Sequence, residues 1–378
     1  MIEVIEVKTH RQQKEFLDFP LKLYKNNPNY VPPLYMDERK IFKKDYAYYD
    51  TCEAVYFNAY KDGVMAGRIS GILQKAHNEK TGEKRVRFTR FDVVEDFEVA
   101  KALFAKVEDW ALSKGMEIVC GPMSFSDFER EGMLIEGFDQ LSTFEEQYNA
   151  PYYPQFVEQL GFVKEVDWVE SKVYAPKDYD GSLEEITELL FKRYHLHFGE
   201  SKNGRDFLRR YADGFFDIVD KSYEEVYGTV PFTERIKRMM IDNFNLIIDN
   251  KHGGVVLDEN GKVILLGICF PSLAKAVQKS GGHLTPGCLI RILKAVRKPE
   301  IIDLGLIGVD PVWANRGVSV AMASQLMQML QMPYTQYAET NLNLEDNYAI
   351  LNLWKRFDAV QHKRRRSYIK HLNLGLKK

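Results

Sequence analysis

The stretch that decides the fold runs from Asp303 to Leu330 and reads DLGLIGVDPVWANRGVSVAMASQLMQML. Its apolar run from Leu304 to Val309 stops at Asp310-Pro311, which predicts a buried strand closed by a breaker. From Gly317 onward, apolar residues recur at steps of three and four, as on a helix that packs against a sheet. The stretch therefore predicts a strand, a tight loop and a helix.

The junction between this strand and this helix is suited to an anion. The first amide N–H groups of a helix have no partner inside it, and the helix dipole is positive there. Gly317 would let a phosphate approach the backbone, and Arg316 adds a positive charge. A glycine at such a junction is also common in proteins that bind nothing there, so a purely structural turn remains the alternative.

The residues of this junction resemble a known loop. The segment DPVWANRGVSVAMASQLM is similar to the acyl-CoA loop of the GNAT superfamily of acyltransferases, whose pattern is Arg or Gln, two residues, Gly, one residue, Gly or Ala. Those three positions read Ala314, Gly317 and Ser319, so only the central glycine matches fully. Further on, AETNLNLEDNYAILNLWKRFDAV resembles the superfamily's next strand and helix. Asn347 stands at the helix start, and Trp354 stands where a Tyr is usual.

The resemblance implies an enzyme, an N-acyltransferase that uses acetyl-CoA or another acyl-CoA. Its acceptor would be the amine of a small molecule or a peptide. The residues it implies for binding the acyl-CoA are Val309, Asn315, Arg316, Gly317, Val318, Ser319, Asn347 and Trp354.

Acyl transfer to an amine needs a base for the amine, a donor for the oxyanion and an acid for the thiolate. Asp303 is the predicted base, with a solvated acid at a strand start as the alternative. The predicted oxyanion donor is a backbone N–H near Val309, where the strand is expected to open. Trp354 cannot act as an acid near neutral pH. Tyr348 is the predicted substitute, and Tyr337 is a second possibility.

Length and composition exclude several classes of protein. A chain of 378 residues exceeds a single ordinary core and favours two domains. No apolar run reaches the ~18 residues of a spanning helix, and the start MIEVIEVKTHRQQ lacks an apolar signal core, so a cytoplasmic protein without a membrane partner is predicted. A net charge of −2 argues against nucleic acid as a partner. The four scattered cysteines indicate reduced core thiols.

Two pairs of landmarks indicate an internal duplication. The hairpin glycines Gly63 and Gly261 are 198 residues apart, and so are Asn149 and Asn347, each predicted to open a helix. With the resemblance, this predicts an α/β (α+β) fold of two tandem GNAT-like domains. Each would have a mixed, mostly antiparallel central sheet flanked by helices, and the boundaries would be 1–176 and 177–378.

The first half departs from the pattern at the equivalent junction. Its strand RFTRFDVV continues through Glu95 and Asp96 directly into a helix, without a glycine. Two carboxylates at a helix start would repel a pyrophosphate. The first domain is therefore predicted to be degenerate and to serve acceptor binding or support, and the acyl-CoA site is assigned to the second domain alone.

Four further segments carry predictions. The segments Pro28 to Pro33 and Asp45 to Asp50 are interpreted as a surface excursion, and Glu234 to Ile247 as a helix. The basic segment from His362 to Lys378 predicts a solvated final strand and tail, or else contacts with a cofactor phosphate or an acidic partner. His195 and His197 would share one face of a strand, but no third ligand is placed by spacing, so no metal site is predicted.

Two other functions remain open. Tandem pairs with one cofactor site are similar to N-myristoyltransferases and to Fem-type aminoacyltransferases, so charged tRNA is an alternative donor. The departures at Ala314, Ser319 and Trp354 also fit a catalytically idle binding or scaffold protein. The segment GPMSFSDFEREGMLIEGFD resembles one in uncharacterised GNAT-like proteins and indicates no substrate. The oligomeric state has no signal in the sequence.

Overall fold

The computed structural model describes residues 1–223, 226–244, 248 and 252–372. The strands found in this part of the chain are β1 (Ile2–Glu6), β2 (Cys52–Lys61), β3 (Val64–Gln74), β4 (Arg85–Val93), β5 (Ile118–Gly121), β6 (Met133–Glu136), β7 (Val163–Tyr174), β8 (His197–Phe198), β9 (Gly253–Leu257), β10 (Val263–Pro271), β11 (Ile301–Val309), β12 (Tyr337–Thr340), β13 (Asn343–Leu344) and β14 (Asp358–His371).

The α-helices of the described residues are α1 (His10–Leu23), α2 (Tyr35–Glu38), α3 (Lys75–Thr81), α4 (Phe97–Ser113), α5 (Tyr152–Gln159), α6 (Ser182–Tyr194), α7 (Gly204–Ser222), α8 (Glu234–Phe244), α9 (Ala274–Gln278), α10 (Pro286–Arg297), α11 (Val320–Leu330) and α12 (Tyr348–Trp354). Short 3-10 helices cover Arg39–Phe42, Ala47–Asp50 and Ala314–Arg316.

Contacts between residues divide the described chain into two compact units. Unit 1 contains Met1–Val169, Leu273–Arg291 and the described residues from His362 onward. Unit 2 contains the described residues of Glu170–Ser272 and Ile292–Gln361. The predicted domain boundary at 176/177 stays a prediction, because compactness alone does not show which segments fold independently.

In unit 1 the strands lie in the order β1, β2, β3, β4, β5, β14. All neighbours are antiparallel except β4 and β5, which run parallel. Helix α4 covers one face of this sheet, because its apolar stripe (Val99, Leu103, Val107 and Ala111) is fully buried against the strands.

In unit 2 the order is β8, β9, β10, β11, β12 and then the second part of β7. Here β11 and β12 are the parallel pair, and the other neighbours are antiparallel. Helix α11 lies on one face, where Ile302 and Ile307 of β11 meet its buried side chains. Helix α7 lies on the other face, where Gly308 leaves room for Ile218.

Both predicted hairpins are confirmed, and so is the predicted fold class. β2 and β3 meet at Asp62-Gly63, where φ is +52° and +80°, values that suit a two-residue turn. β9 and β10 form the second hairpin around Gly261, whose φ is +76°. Each unit has a mixed and mostly antiparallel sheet with helices against it.

The predicted surface excursion is wrong in both segments, because its aromatic and apolar residues are part of the core. Val31 is fully buried, and Tyr48 is stacked on Phe125 with its hydroxyl against Ser126. Asn149 also does not open a helix as predicted. Its side chain instead exchanges two hydrogen bonds with the backbone of Leu134.

The prediction of a solvated basic strand is wrong for the described part of His362–Lys378. Lys363 and Arg365 are fully buried on β14, and Arg364 and Arg366 both donate to the carboxylate of Asp167 within unit 1. The charges of Arg364 and Arg366 are therefore paired within unit 1. The terminal residues 373–378, and residues 245–247 of the predicted helix Glu234 to Ile247, lie outside the described residues.

Candidate functional site

The parallel strands β11 and β12 separate in the middle of unit 2. They are in register from Ile301 opposite Tyr337 to Leu304 opposite Thr340, and the amide of Asn341 donates to the carbonyl of Leu304. Beyond that point β11 continues to Val309 while β12 has ended. The two strands thus separate at Leu304, five residues before Val309, where the opening is predicted. Val309 itself is paired with Leu265 of β10, on the side of β11 away from β12.

A bulge in β11 lies at the same point. The register against β10 changes between Leu306 and Leu304, so Gly305 is the extra residue. A Cβ built on Gly305 would lie 2.7 Å from the ring of Phe270 and 3.0 Å from the carbonyl oxygen of Ile268. Any side chain here would require the ring of Phe270 and the backbone at Ile268 to move, which favours glycine at the bulge.

The bulge gives a first prediction. Gly305→Ala is expected to lower the free energy of unfolding by about 1–3 kcal/mol, because the added methyl group overpacks against Ile268 and Phe270. Urea unfolding measures this, with Gly287→Ala as the control, since its Cβ would meet only ordinary contacts. Equal stability of the two variants would contradict the close packing of the bulge.

After β11, Asp310 organises the loop that leads to α11. Its buried carboxylate accepts hydrogen bonds from Lys262 Nζ at 2.7 Å and from the amide of Val312 at 3.0 Å, and its carbonyl accepts the amide of Trp313. Burial raises the pKa of Asp310, but the bonds from Lys262 and Val312 outweigh it and hold that pKa below its usual value. The breaker predicted from Asp310-Pro311 is thus a hydrogen-bonded turn.

The loop ends in a backbone cradle at Gly317. This residue is left-handed with φ +75°, and a Cβ placed on it would meet open space. Ser319 precedes α11 without a side-chain cap, and within the described residues the amides of Gly317, Val318 and Ser319 donate no hydrogen bond. Three consecutive unused amides at the start of an eleven-residue helix form the kind of concave site that binds anions.

The side chains around this cradle divide into anchors and exposed groups. Val318 is buried in the core beneath α11 and fixes the loop. Asn315 and Arg316 are exposed, and the guanidinium of Arg316 lies over the ring of Trp313 at 4.5 Å. That stacking holds a positive charge next to the cradle without using its hydrogen-bond donors.

The corresponding helix of unit 1 begins differently. Asp96 caps α4, and its carboxylate accepts the amides of Glu98 at 3.1 Å and Val99 at 3.4 Å. A carboxylate therefore occupies the place that a phosphate would need. The contrast between a capped α4 and an uncapped α11 agrees with the prediction that only the second half offers an anion site, and that assignment stays a prediction.

Asp303 lies on the face of the sheet opposite α11. Ile302 packs into the core beneath α11, so its neighbour Asp303 points the other way, beside its register partner Phe270 on β10. Only 6% of Asp303 is exposed, so its interpretation as a solvated acid is wrong. This carboxylate comes one residue before the point where β11 and β12 separate.

A second buried carboxylate, which the sequence reasoning missed, accompanies Asp303. Glu339 on β12 is its register partner and is 5% exposed. Burial raises the pKa of the nearby Tyr337 far above its usual value, and the carboxylates of Glu339 and Asp303 raise it further, so this phenol stays protonated. The alternation of polar and apolar residues in Tyr337–Thr340 is the signal that could have indicated this face.

The remaining predicted site residues lie on α12. Tyr348 is 70% exposed in its first turn. Asn347 caps the helix, and its side chain accepts the amide of Ile350 at 3.4 Å. Trp354 donates its indole N–H to Asn343 at 2.8 Å and packs against the core beneath α11. Their predicted roles in catalysis and acyl-CoA binding stay predictions.

An apolar cavity lies between the sheet of unit 2 and helices α7 and α8. It has a volume of about 10 Å³. Its lining is apolar apart from one phenol: Phe207, Leu208, Tyr211, Ala212, Phe215, Phe216, Ile241, Phe244, Val255, Leu266 and Ile268. A row of rings connects it with the neighbourhood of Asp303, because Phe244 is stacked on Phe270 and also contacts Phe215.

The described residues lack two kinds of feature. No group of three or more His, Cys, Asp or Glu side chains there is arranged to hold a metal ion. No helix in that part of the chain combines the length and the apolar character needed to cross a bilayer.

Solved structures share this arrangement. A tandem GNAT protein from the clavulanic acid biosynthesis pathway matches over 100% of both chains with a TM-score of 0.57, at 11% sequence identity. The chain has the tandem GNAT fold.

Two known proteins are similar in sequence over nearly the whole tandem GNAT chain. Protein YghO of Escherichia coli K12 is 24% identical over 370 residues, 95% of this chain and 93% of that protein. Bacterial ceramide synthase of Caulobacter vibrioides is 26% identical over 384 aligned positions, 98% of each chain. No protein family model matches the chain.

Proposed function

We propose that this protein is an acyl-CoA-dependent N-acyltransferase whose active site lies in unit 2. The observation that carries the proposal is the combination of strands that separate at Leu304 with an uncapped helix start at Gly317. A gap between parallel strands exposes backbone groups of β11 beyond Leu304. The cradle at the end of the same strand offers amides to an anion. Together they suit a ligand that has a carbonyl at one end and phosphates at the other.

The pyrophosphate of the acyl-CoA would bind at the cradle. The amides of Gly317, Val318 and Ser319 would donate to its oxygens, and Arg316 would add charge. Val309 ends β11 immediately before this loop, and Asn315 lies within the loop next to Arg316. The fit rests on the unused amides and the open space at Gly317. At the start of α4, by contrast, the carboxylate of Asp96 caps the amides of Glu98 and Val99.

The amine would be deprotonated by Asp303. An amine of pKa about 10.4 must lose about three units to be neutral at pH 7, which corresponds to about 4 kcal/mol. A buried carboxylate beside the aromatic ring of Phe270 combines an acceptor for the proton with a desolvated surrounding. Tyr337, which stays protonated, can donate a hydrogen bond but is a weak acid. Because the conjugate acid of the thiolate has a pKa of only about 8.5, the thiolate can leave without a proton from Tyr337.

The acceptor class follows from one relative and from the apolar surroundings of Asp303. A full-length relative bears the name bacterial ceramide synthase, and a ceramide is the amide of a fatty acid with a sphingoid base. We infer that the acceptor here is likewise a long-chain amine. The ring row Phe270, Phe244 and Phe215 gives the side of the sheet that carries Asp303 an apolar surface, which supports a hydrocarbon chain as part of the acceptor.

A single assay tests the function. The purified protein is incubated with palmitoyl-CoA or acetyl-CoA, with and without sphinganine, and free thiol and N-acyl product are measured. Thiol release that requires the amine, together with the N-acyl product, is expected. Thiol release at the same rate without amine would contradict amide formation. Calorimetry is the second readout, and if neither acyl-CoA binds at millimolar concentration, the fold serves as a scaffold.

A further inference from the structure

Helix α10 exposes an unusual amount of apolar surface. Of its twelve residues only Cys288 is buried. Leu289, Ile290 and Leu293 are 47%, 68% and 60% exposed. A helix in a folded core hides such side chains, so this face is expected to meet something other than water.

The exposed face of α10 is also basic. On a helical wheel, Leu289, Ile290 and Leu293 fall within one sector of about 100°, and Lys294 and Arg297 lie in or beside the same sector. The sequence has no acidic residue between Glu259 and Glu300. Apolar and cationic side chains thus share a surface on which α10 itself carries no carboxylate.

The segment before α10 is fastened to unit 1. Gln278 Nε2 donates to the carbonyls of Pro28 at 2.8 Å and Tyr30 at 2.9 Å. The amide of Tyr35 donates to the carbonyl of Gly282, whose φ of +81° permits the approach. The helix therefore starts from a fixed anchor, and its exposed face is not explained by a loose segment.

We propose that α10 is an interfacial helix that docks the protein on an anionic lipid surface. Such helices lay apolar side chains into the boundary between headgroups and acyl chains, with Lys and Arg against anionic headgroups. A second copy of the chain is a poorer occupant. Two identical basic faces would oppose their cations, and three apolar side chains are few beside the roughly 20 residues per side of a stable interface.

Flotation with vesicles tests the proposal without acyl-CoA, so its outcome does not depend on the proposed function. The intact protein is mixed with two kinds of vesicle. One contains phosphatidylcholine alone, and in the other about one lipid in three is the anionic phosphatidylglycerol. Binding to the anionic vesicles only is expected, weakening as salt is raised. Equal recovery in the absence of anionic lipid would overturn the charge argument.

Two double variants separate the apolar from the ionic contribution. Ile290→Ser with Leu293→Ser, and Lys294→Gln with Arg297→Gln, are each expected to lower vesicle binding roughly tenfold or more. Leu189→Ser is the matched control, because Leu189 is 66% exposed on a different helix, α6. Wild-type binding by both double variants would overturn the proposal. So would loss of binding in the control alone, or a protein that self-associates through α10 and ignores vesicles.

Discussion

Gly317→Glu is expected to lower the affinity for acyl-CoA by at least about a hundredfold, or about 2.7 kcal/mol. The Glu side chain would place a carboxylate where the three unused amides of the loop face an anion. The Cβ of the new side chain would lie in open space and meet no clash. The loss would therefore come from charge and occupancy, and calorimetric titration with acetyl-CoA and palmitoyl-CoA would measure it.

Matched glycine variants control for backbone strain. Any side chain at a φ of +75° costs about 1–2 kcal/mol, so Gly317→Ala reports the strain without the charge. Gly261→Glu repeats both strain and charge at a φ of +76° with open space, in the β9–β10 turn of the same unit. Both are expected to bind acyl-CoA within about tenfold of wild type. Unchanged affinity in Gly317→Glu would show that the donor does not use this cradle.

Asp303→Asn is expected to lower kcat of acyl transfer by about 10²–10⁴, the usual contribution of a general base. The amide keeps the shape of the carboxyl but cannot take a proton from the amine. Acyl-CoA affinity should stay within about twofold, because Asp303 faces away from α11 and its cradle. Single-turnover measurement of amide formation, alongside calorimetry, separates the two effects.

Two further carboxylates sharpen that test. Asp206→Asn is the control for losing a buried carboxylate in unit 2, since Asp206 is engaged with Arg209 and Arg210 and has no place in the site. Its kcat should match wild type. Glu339→Gln tests whether Asp303 or Glu339 takes the proton from the amine. A larger loss in Glu339→Gln than in Asp303→Asn would transfer the role of base to Glu339, and full activity of Asp303→Asn would remove it from Asp303.

Sequence patterns alone predict the two hairpins and the stretch around Gly317, where the structure is local. The turns at Asp62-Gly63 and Asn260-Gly261 lie between adjacent strands, and backbone preference alone specifies them. The strand, loop and helix around Gly317 follow from hydrophobic periodicity and a breaker within one short stretch. The predicted helix start at Gly317 is three residues too early, because short 3-10 type bonds follow Gly317 before α11 begins at Val320.

The sequence by itself determined the two hairpins, the strand, loop and helix of the candidate donor site, and the repeat of one plan in two halves. Only the tertiary structure decided which charges are buried. The sequence predicts that Arg364 and Arg366 belong to a solvated strand and tail. The structure instead places Asp167, which is distant in the chain, beside both of them. The alternative of a solvated acid at Asp303 is excluded only by its burial beside its register partners Phe270 and Glu339. The physical reason is that the burial and the pairing of a charged side chain depend on the residues around it. In a sheet, those residues come from strands that are distant in the sequence.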